Sequence, residues 1–236
     1  MKRQTNLNSI KNIAKLFLHL PLEDTGYVSI LQHPVYNTAI QVDDGKMVNI
    51  LEDKEALDRM NKLYEEQIDK ADDVDRLLLI IRTPYWLTFL KHIKPYLSKN
   101  DFDKMLGDVW VQSENPNGDV NVSVRTSASY FRKANKKVLM TPEEMEVYTS
   151  LPDTLTVYRG VSPGRVENGL SWTANKEKAL WFAKRFMRTG RDAVLLSGEV
   201  RKKDVLAYLN RRNEDELVIS PKDVKQMTRS IIHSRE

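Results

Sequence analysis

Three short polar motifs follow one another in the last third of the chain. They are Tyr158-Arg159-Gly160, Ser171-Trp172-Thr173 and Glu214-Asp215-Glu216. Glu214 and Glu216 are two positions apart, so in an extended segment both carboxylates project to the same side. The motifs therefore offer a guanidinium, hydroxyl groups and paired carboxylates as the groups that can do chemistry.

Other common chemistries lack support in the sequence. The chain has no cysteine, which excludes disulfides, thiol nucleophiles and iron–sulfur clusters. The four histidines, His19, His33, His92 and His233, show no metal-ligand spacing, so we expect no metal. A Gly-rich phosphate loop ending in Lys-Ser/Thr, a GxGxxG and a GxSxG are also absent.

The order of the motifs resembles that of ADP-ribosyltransferases of the arginine-serine-glutamate class, which includes bacterial toxins and phage-encoded transferases. In that family an arginine on a first strand binds NAD, a Ser-x-Ser/Thr element begins a second strand, and a Glu-x-Glu or Gln-x-Glu turn leads into a later one. The resemblance covers about residues 154–224. It implies an NAD-dependent mono-ADP-ribosyltransferase, with NAD as a substrate.

The resemblance implies a role for each motif residue. Arg159 would hold the NAD phosphates with its planar fork. Ser171 would orient Glu216, which would bind the 2′-hydroxyl of the nicotinamide ribose and stabilise an oxocarbenium-like transition state. The remaining residues expected to contact NAD are Tyr158, Gly160, Trp172 and Thr173, of which Thr173 would shape the nicotinamide pocket. Tyr158 and Trp172 fit a core position equally well.

In the same family a glutamate at position 214 goes with transfer to an arginine guanidinium, which the carboxylate can pair with and orient. A protein arginine is therefore the favoured acceptor. The basic loop 210–213 lies where the family's target-recognition loop lies, and its charge suits an acidic surface around the modified residue. The implied setting is a bacterial or phage effector or toxin, acting in the cytoplasm of the producing or infected cell.

Three alternatives stay open. Water as the acceptor would make the protein an NAD glycohydrolase. Nucleic acid as the acceptor suits residues 151–236, which carry 17 Lys/Arg against 11 Asp/Glu, whereas residues 1–150 carry 20 against 22. In the third alternative the chain is a basic interaction module without catalysis.

Composition and periodicity predict a folded α+β protein without a membrane span. Hydrophobic residues make up 41% and charged residues 30%, and the longest aliphatic run, residues 77–81, is too short to cross a bilayer. Apolar spacing and caps predict a β-hairpin near residues 38–50 and a set of helices, over residues 9–20, 52–70, 83–94, 101–112, 123–134 and 141–151.

After residue 152 the pattern changes to strands over residues 154–161, 169–173, 193–200 and 216–220, with a helix over 175–188. We expect a mainly helical region over residues 1–140 and a compact ADP-ribosyltransferase-like β-sandwich domain over residues 141–236. Ser171 follows Arg159 after only 12 positions, whereas many family members insert a longer helical stretch. We therefore expect helices within residues 84–150 to supply one wall of the NAD cleft.

Overall fold

The computed structural model describes residues 3–27, 29–188 and 190–234. The chain mixes helix and sheet, with 46% of residues helical and 22% in strands. Every strand pair within the described ranges is antiparallel, which is compatible with the α+β class. Within the same ranges, no helix has the length and apolar character needed to span a bilayer.

The chain divides into two compact units, Met1–Phe102 and Asp103–Glu236, called here the first unit and the second unit. The elements of the first unit are α1 (Leu7–Leu18), β1 (Ile40–Asp43), β2 (Lys46–Asn49), α2 (Lys54–Lys70), α3 (Val74–Ile80) and α4 (Trp86–Ile93). Helix α5 (Lys99–Gln112) contains the boundary between the units.

Local hydrogen bonds explain where the elements of the first unit begin. The side chains of Asn6, Asp53 and Asp73 accept backbone N–H bonds at the starts of α1, α2 and α3. The predicted hairpin is present as β1 and β2, and it turns at Asp44-Gly45, where both residues have positive φ.

The second unit contains two three-stranded sheets and the remaining helices. Its elements after α5 are α6 (Val124–Lys133), α7 (Lys136–Leu139), α8 (Pro142–Ser150), β3 (Thr154–Val161), β4 (Ser171–Trp172), α9 (Lys176–Lys184), β5 (Ala193–Arg201), β6 (Val205–Leu209), β7 (Glu216–Ile219) and β8 (Lys225–Ile232). The strand orders are β3-β5-β8 and β4-β7-β6.

Residues 103–140 were predicted to belong to the N-terminal region, whereas the structure groups them with the second unit. The reason is tertiary: α6, α7 and α8 all contact β6, a strand that is buried along its whole length. Helices α3 and α7 and strands β6 and β8 were not predicted.

One backbone contact places the candidate site. Tyr158 of β3 and Thr173, directly after β4, exchange two backbone hydrogen bonds of 2.8 and 2.9 Å. This bridge connects the two sheets, so Arg159 on β3 lies beside Ser171 on β4. Ser171 is in turn opposite Val218 of β7, whose first residue is Glu216.

Candidate functional site

A single cleft of the second unit gathers the predicted site residues. It encloses about 900 Å³ including its open mouth, which is within the range of small-ligand pockets. The predicted residues on its wall are Tyr158, Arg159, Gly160, Ser171, Trp172, Thr173, Glu214 and Glu216. We call it the Glu216 cleft.

Glu216 is held by two hydrogen-bond donors. The indole Nε1 of Trp110 donates to its Oε1 at 2.8 Å, and the Ser171 hydroxyl also bonds the carboxylate. Burial raises the pKa of Glu216 above its usual value, and the nearby Glu214 carboxylate adds to this shift. The bonds from Ser171 and Trp110 and the charge of Arg159 act in the opposite direction.

Asn117 orients Ser171 from outside the predicted motifs. Its Nδ2 donates to Ser171 Oγ at 2.8 Å, and its Oδ1 accepts from the backbone N–H of Leu170 at 2.6 Å. One amide side chain therefore fixes both the hydroxyl group and the backbone that enters β4. Since Ser171 also bonds Glu216, a chain of hydrogen bonds runs from Asn117 to the carboxylate.

Arg159 is 7% exposed, and its guanidinium binds the protein's own backbone. Nε, Nη1 and Nη2 donate to the carbonyl oxygens of Glu167, Ser171 and Val166 at 3.0, 2.8 and 2.6 Å. These bonds use three of the five N–H groups of the guanidinium. A Cβ at Gly169 would collide with the guanidinium, so glycine is required for this close approach.

Burial lowers the pKa of Arg159 to about 10, and the Glu216 carboxylate partly offsets this effect. The side chain is therefore still charged near neutral pH. It fixes segment 166–171 and places positive charge beside Glu216. The expected role of phosphate anchor thus rests on its two remaining N–H groups.

The other residues of the first two motifs mainly shape the cleft wall. Trp172 is 2% exposed, and its indole donates to the Gly169 carbonyl at 3.1 Å. At Gly160 a Cβ would collide with the Ala179 carbonyl, so this glycine lets α9 pack closely on β3. Thr173 is buried and accepts a bond from the Asn175 N–H just before α9.

Glu214 reaches the cleft by a different route from the one expected. Asp215 has a φ of 49°, so residues 214–216 are not a continuous extended segment and strand alternation does not apply. Glu214 and Glu216 nevertheless both line the cleft. Asp215 is not among the described lining residues, and it binds Tyr208 Oη at 2.8 Å and Lys178 Nζ at 2.6 Å.

The two arginines of the basic loop 210–213 contact different parts of the second unit. Arg211 pairs with Asp108 and Glu144 and donates to the Leu139 carbonyl. Arg211 is thus paired with carboxylates inside the second unit and does not add to the basic character that was expected to suit an acidic target surface. Arg212 lines the Glu216 cleft, where its Nε lies 3.3 Å from Glu214 Oε1.

One wall of the Glu216 cleft is formed by residues within 110–117, the end of α5 and the loop after it, whereas helices of residues 84–150 were expected to form a wall of the NAD cleft. Trp110 and Asn117 belong to this wall, and neither was predicted from the sequence to be a site residue. Glu114 pairs with Arg185, which lies directly after α9, at 3.3 Å, and both line the cleft. Among the described residues, no group of three His, Cys, Asp or Glu side chains is arranged to hold a metal ion.

Comparison with known proteins gives no relative: no family model, no curated protein and no solved structure matches this chain. The site must therefore be interpreted from its own geometry.

Proposed function

We propose that the protein is an NAD-dependent mono-ADP-ribosyltransferase, a glycosyltransferase that passes ADP-ribose to a macromolecule. The observation that carries the proposal is the meeting of Arg159, Ser171 and Glu216 at one cleft, with the carboxylate held by two donors. The two sheets, linked between Tyr158 and Thr173, support the proposed ADP-ribosyltransferase-like sandwich.

Glu216 is the proposed catalytic carboxylate. When the bond between nicotinamide and ribose breaks, positive charge develops on the sugar, and a fixed carboxylate stabilises it. A carboxylate held by Trp110 and Ser171 does not have to reorganise during the reaction. Glu216 must be ionised for this role, so the rate falls as the pH drops through its raised pKa.

The charges around the cleft suit a dinucleotide with a diphosphate. Arg165 and Arg185 line the cleft in addition to Arg159. The guanidinium groups of Arg165 and Arg185 lie 5.3 and 5.0 Å from the ring centre of Phe186. We propose that these two arginines hold the diphosphate while the nicotinamide ribose lies near Glu216.

The proposed acceptor is a protein arginine. Glu214 lines the same cleft as Glu216 and already binds one guanidinium, that of Arg212. A carboxylate in this place can pair with an incoming guanidinium and direct a nitrogen towards the ribose. The setting that goes with this activity is a bacterial or phage effector in the cytoplasm of the producing or infected cell.

The test is to incubate the full chain with NAD labelled in its adenylate phosphate, with and without cell lysate. Nicotinamide release and the destination of the label are measured together. Label on protein that mass spectrometry maps to arginine supports the proposal. Label on nucleic acid indicates the second acceptor class, and free ADP-ribose alone indicates a glycohydrolase. If the chain releases no nicotinamide under either condition, the interaction module is the better account.

A further inference from the structure

Arg212 occupies the position that the proposed acceptor has to take. Its Nε lies 3.3 Å from Glu214 Oε1, and its Nη1 donates to the Val111 carbonyl at 3.1 Å. Val111, Arg212 and Glu214 all line the Glu216 cleft. The chain therefore places one of its own guanidinium groups on the carboxylate proposed to orient an acceptor arginine.

The neighbouring arginine shows that this placement is specific. Arg211 turns away to Asp108, Glu144 and the Leu139 carbonyl, although it is adjacent in sequence. The two side chains leave a tight turn in which the Asn213 N–H bonds the Asn210 carbonyl at 2.9 Å. Arg211 thus stabilises the fold, whereas Arg212 points into the cleft.

We propose that Arg212 is a self-modification site, to which the chain transfers ADP-ribose within the same molecule. This inference rests on the proposed function. Arg212 is held by one partly exposed ion pair and one hydrogen bond, and both are weak enough to be exchanged during a reaction. Because the Arg212 guanidinium and the cleft belong to the same chain, the effective concentration of this acceptor at the cleft is high.

The transfer step is balanced without any further reagent. A terminal nitrogen of Arg212 forms a bond to C1′ of the nicotinamide ribose while the bond from C1′ to nicotinamide breaks. Nicotinamide leaves as the neutral amide with the bonding electron pair. The proton lost from the guanidinium passes to water, directly or through Glu214. The products are ADP-ribosylated Arg212, nicotinamide and a proton.

Modification limits further turnover. An ADP-ribose attached to Arg212 remains in or at the mouth of the Glu216 cleft, where it competes with NAD. It also removes Arg212 from Glu214. Nicotinamide release by the wild-type chain should therefore slow as Arg212 becomes modified, whereas Arg212→Lys should sustain its initial rate with water as the acceptor of the ribose.

The experiment incubates the purified full chain with labelled NAD and no other protein, and measures nicotinamide release and the labelled residue in the same samples. We expect a single ADP-ribose on Arg212, at a rate per chain that does not depend on protein concentration. Arg212→Lys should lose this label while it still releases nicotinamide, because water then takes the ribose and the label appears as free ADP-ribose.

Arg201 is the matched control. Its Nε pairs with Asp204 Oδ2 at 2.9 Å, an arginine–carboxylate pair like that of Arg212. Arg201 is not among the described residues that line the cleft. We expect Arg201 to stay unlabelled and Arg201→Lys to label like the wild type. A tagged Glu216→Gln chain, mixed with active Arg212→Lys chain, should also stay unlabelled because the transfer is intramolecular. Free ADP-ribose in place of NAD should give no label on Arg212.

The possible failures are distinguishable. For the wild-type chain, nicotinamide release with label only on other residues, or only on free ADP-ribose, overturns the self-modification of Arg212 and leaves NAD cleavage in place. Label on Arg212 of the tagged Glu216→Gln chain overturns transfer within one molecule. If neither nicotinamide nor label appears, with or without lysate, the proposed function fails and the inference fails with it.

Discussion

The two units each contain an arginine that supports backbone, but among the described lining residues only the cleft of Arg159 contains carboxylates. In the first unit, Arg82 Nη1 donates to the carbonyls of Leu31, His33 and Tyr36 at 3.1, 2.9 and 3.1 Å. In the second unit, Arg159 donates to three carbonyls with three different nitrogens. Each arginine also lines a cleft of its own unit.

The surroundings of these arginines differ in charge. The described lining of the Arg82 cleft includes Lys70 and Arg76 and contains no Asp or Glu. The Glu216 cleft combines arginines with carboxylates, and its central acid has a raised pKa. An arginine that binds backbone carbonyls therefore has a structural role in both units. The carboxylates in the Glu216 cleft are the feature that indicates a catalytic site.

The largest expected effect comes from Glu216→Gln, which keeps the shape of the side chain and removes its charge. We expect NAD cleavage to fall by about 10²–10³-fold, the usual loss when one fixed electrostatic group is removed from a transition state. Nicotinamide release by folded protein measures this loss. Glu199→Gln, an exposed change on β5 outside the cleft, is the control and should leave the rate unchanged. Full activity of Glu216→Gln would falsify the assignment of this carboxylate.

Burial should give the first unit a pH dependence of its own. His33 is 0% exposed, its Nδ1 accepts the N–H bonds of Val35 and Tyr36, and burial lowers its pKa to about 4. Below the ordinary pKa of 6.5 the unfolded chain binds a proton that the folded chain rejects. Stability is therefore lost as the pH falls from 6.5 to about 4, by up to about 3 kcal/mol.

Urea unfolding of the full chain at several pH values in this window measures the effect. His33→Asn should be less stable at neutral pH but should lose the part of the pH slope that comes from His33. His19→Gln is the control, because His19 is exposed and pairs with Glu65 on the surface. Equal slopes for His33→Asn and the wild type would show that His33 does not titrate on unfolding.

Replacing each backbone-binding arginine by lysine compares the two units directly. Lysine keeps the charge but lacks the planar fork, so each variant leaves carbonyl groups without their donor. We expect each change to cost about 1–3 kcal/mol of stability. Arg159→Lys should also lower NAD cleavage on the order of 100-fold, because segment 166–171 and the charge beside Glu216 shift.

Arg82→Lys should leave the rate per folded molecule unchanged, since Arg82 lines only the cleft of the first unit. Melting curves and nicotinamide release, measured on the same preparations, separate stability from turnover. If Arg159→Lys were destabilised but retained full turnover, Arg159 would be a structural residue of the same kind as Arg82.

The smallest expected effect is a pair of opposite shifts in the acid limb of the kcat/KM profile. In the wild type this limb should lie above the usual Glu pKa of 4.5, since burial raises the pKa of Glu216. Trp110→Phe removes a donor that lowers this pKa, so the limb should move to higher pH. Glu214→Gln removes a charge that raises it, so the limb should move to lower pH.

Above the acid limb, where kcat/KM no longer depends on pH, Trp110→Phe should lose about fivefold in rate, corresponding to one hydrogen bond of about 1 kcal/mol. The control is Trp86→Phe, which removes an indole hydrogen bond to the Leu78 carbonyl in the first unit, at a residue that is not among the described lining of the cleft. Acid limbs that stay at the wild-type pH in both Trp110→Phe and Glu214→Gln would mean that another group titrates.

Elements with strong local signals were predicted well. Strand β3 has the predicted bounds, and the Thr141 and Glu144 capping box is formed at the start of α8. Such signals depend on bonds between residues a few positions apart, so neighbours in sequence suffice to reveal them.

Elements without such signals were missed. Strand β8 is almost fully exposed and largely polar, so it shows no alternation of buried and exposed side chains. Strand β6 is a short run buried at every position, and such a run is equally compatible with a helix. Helix α3 has only seven residues around an aliphatic run, too few to establish a helical period.

The sequence by itself determined the order of the three motifs, the strands that carry Arg159 and Glu216, and the candidate chemistry. Only the tertiary structure decided which groups hold the carboxylate and the serine. Trp110 is 106 positions from Glu216, and Asn117 is 54 positions from Ser171. The tertiary structure also decided that Arg212 enters the cleft while Arg211 does not. Contacts at these separations depend on how whole elements pack, and no short-range periodicity or cap encodes them.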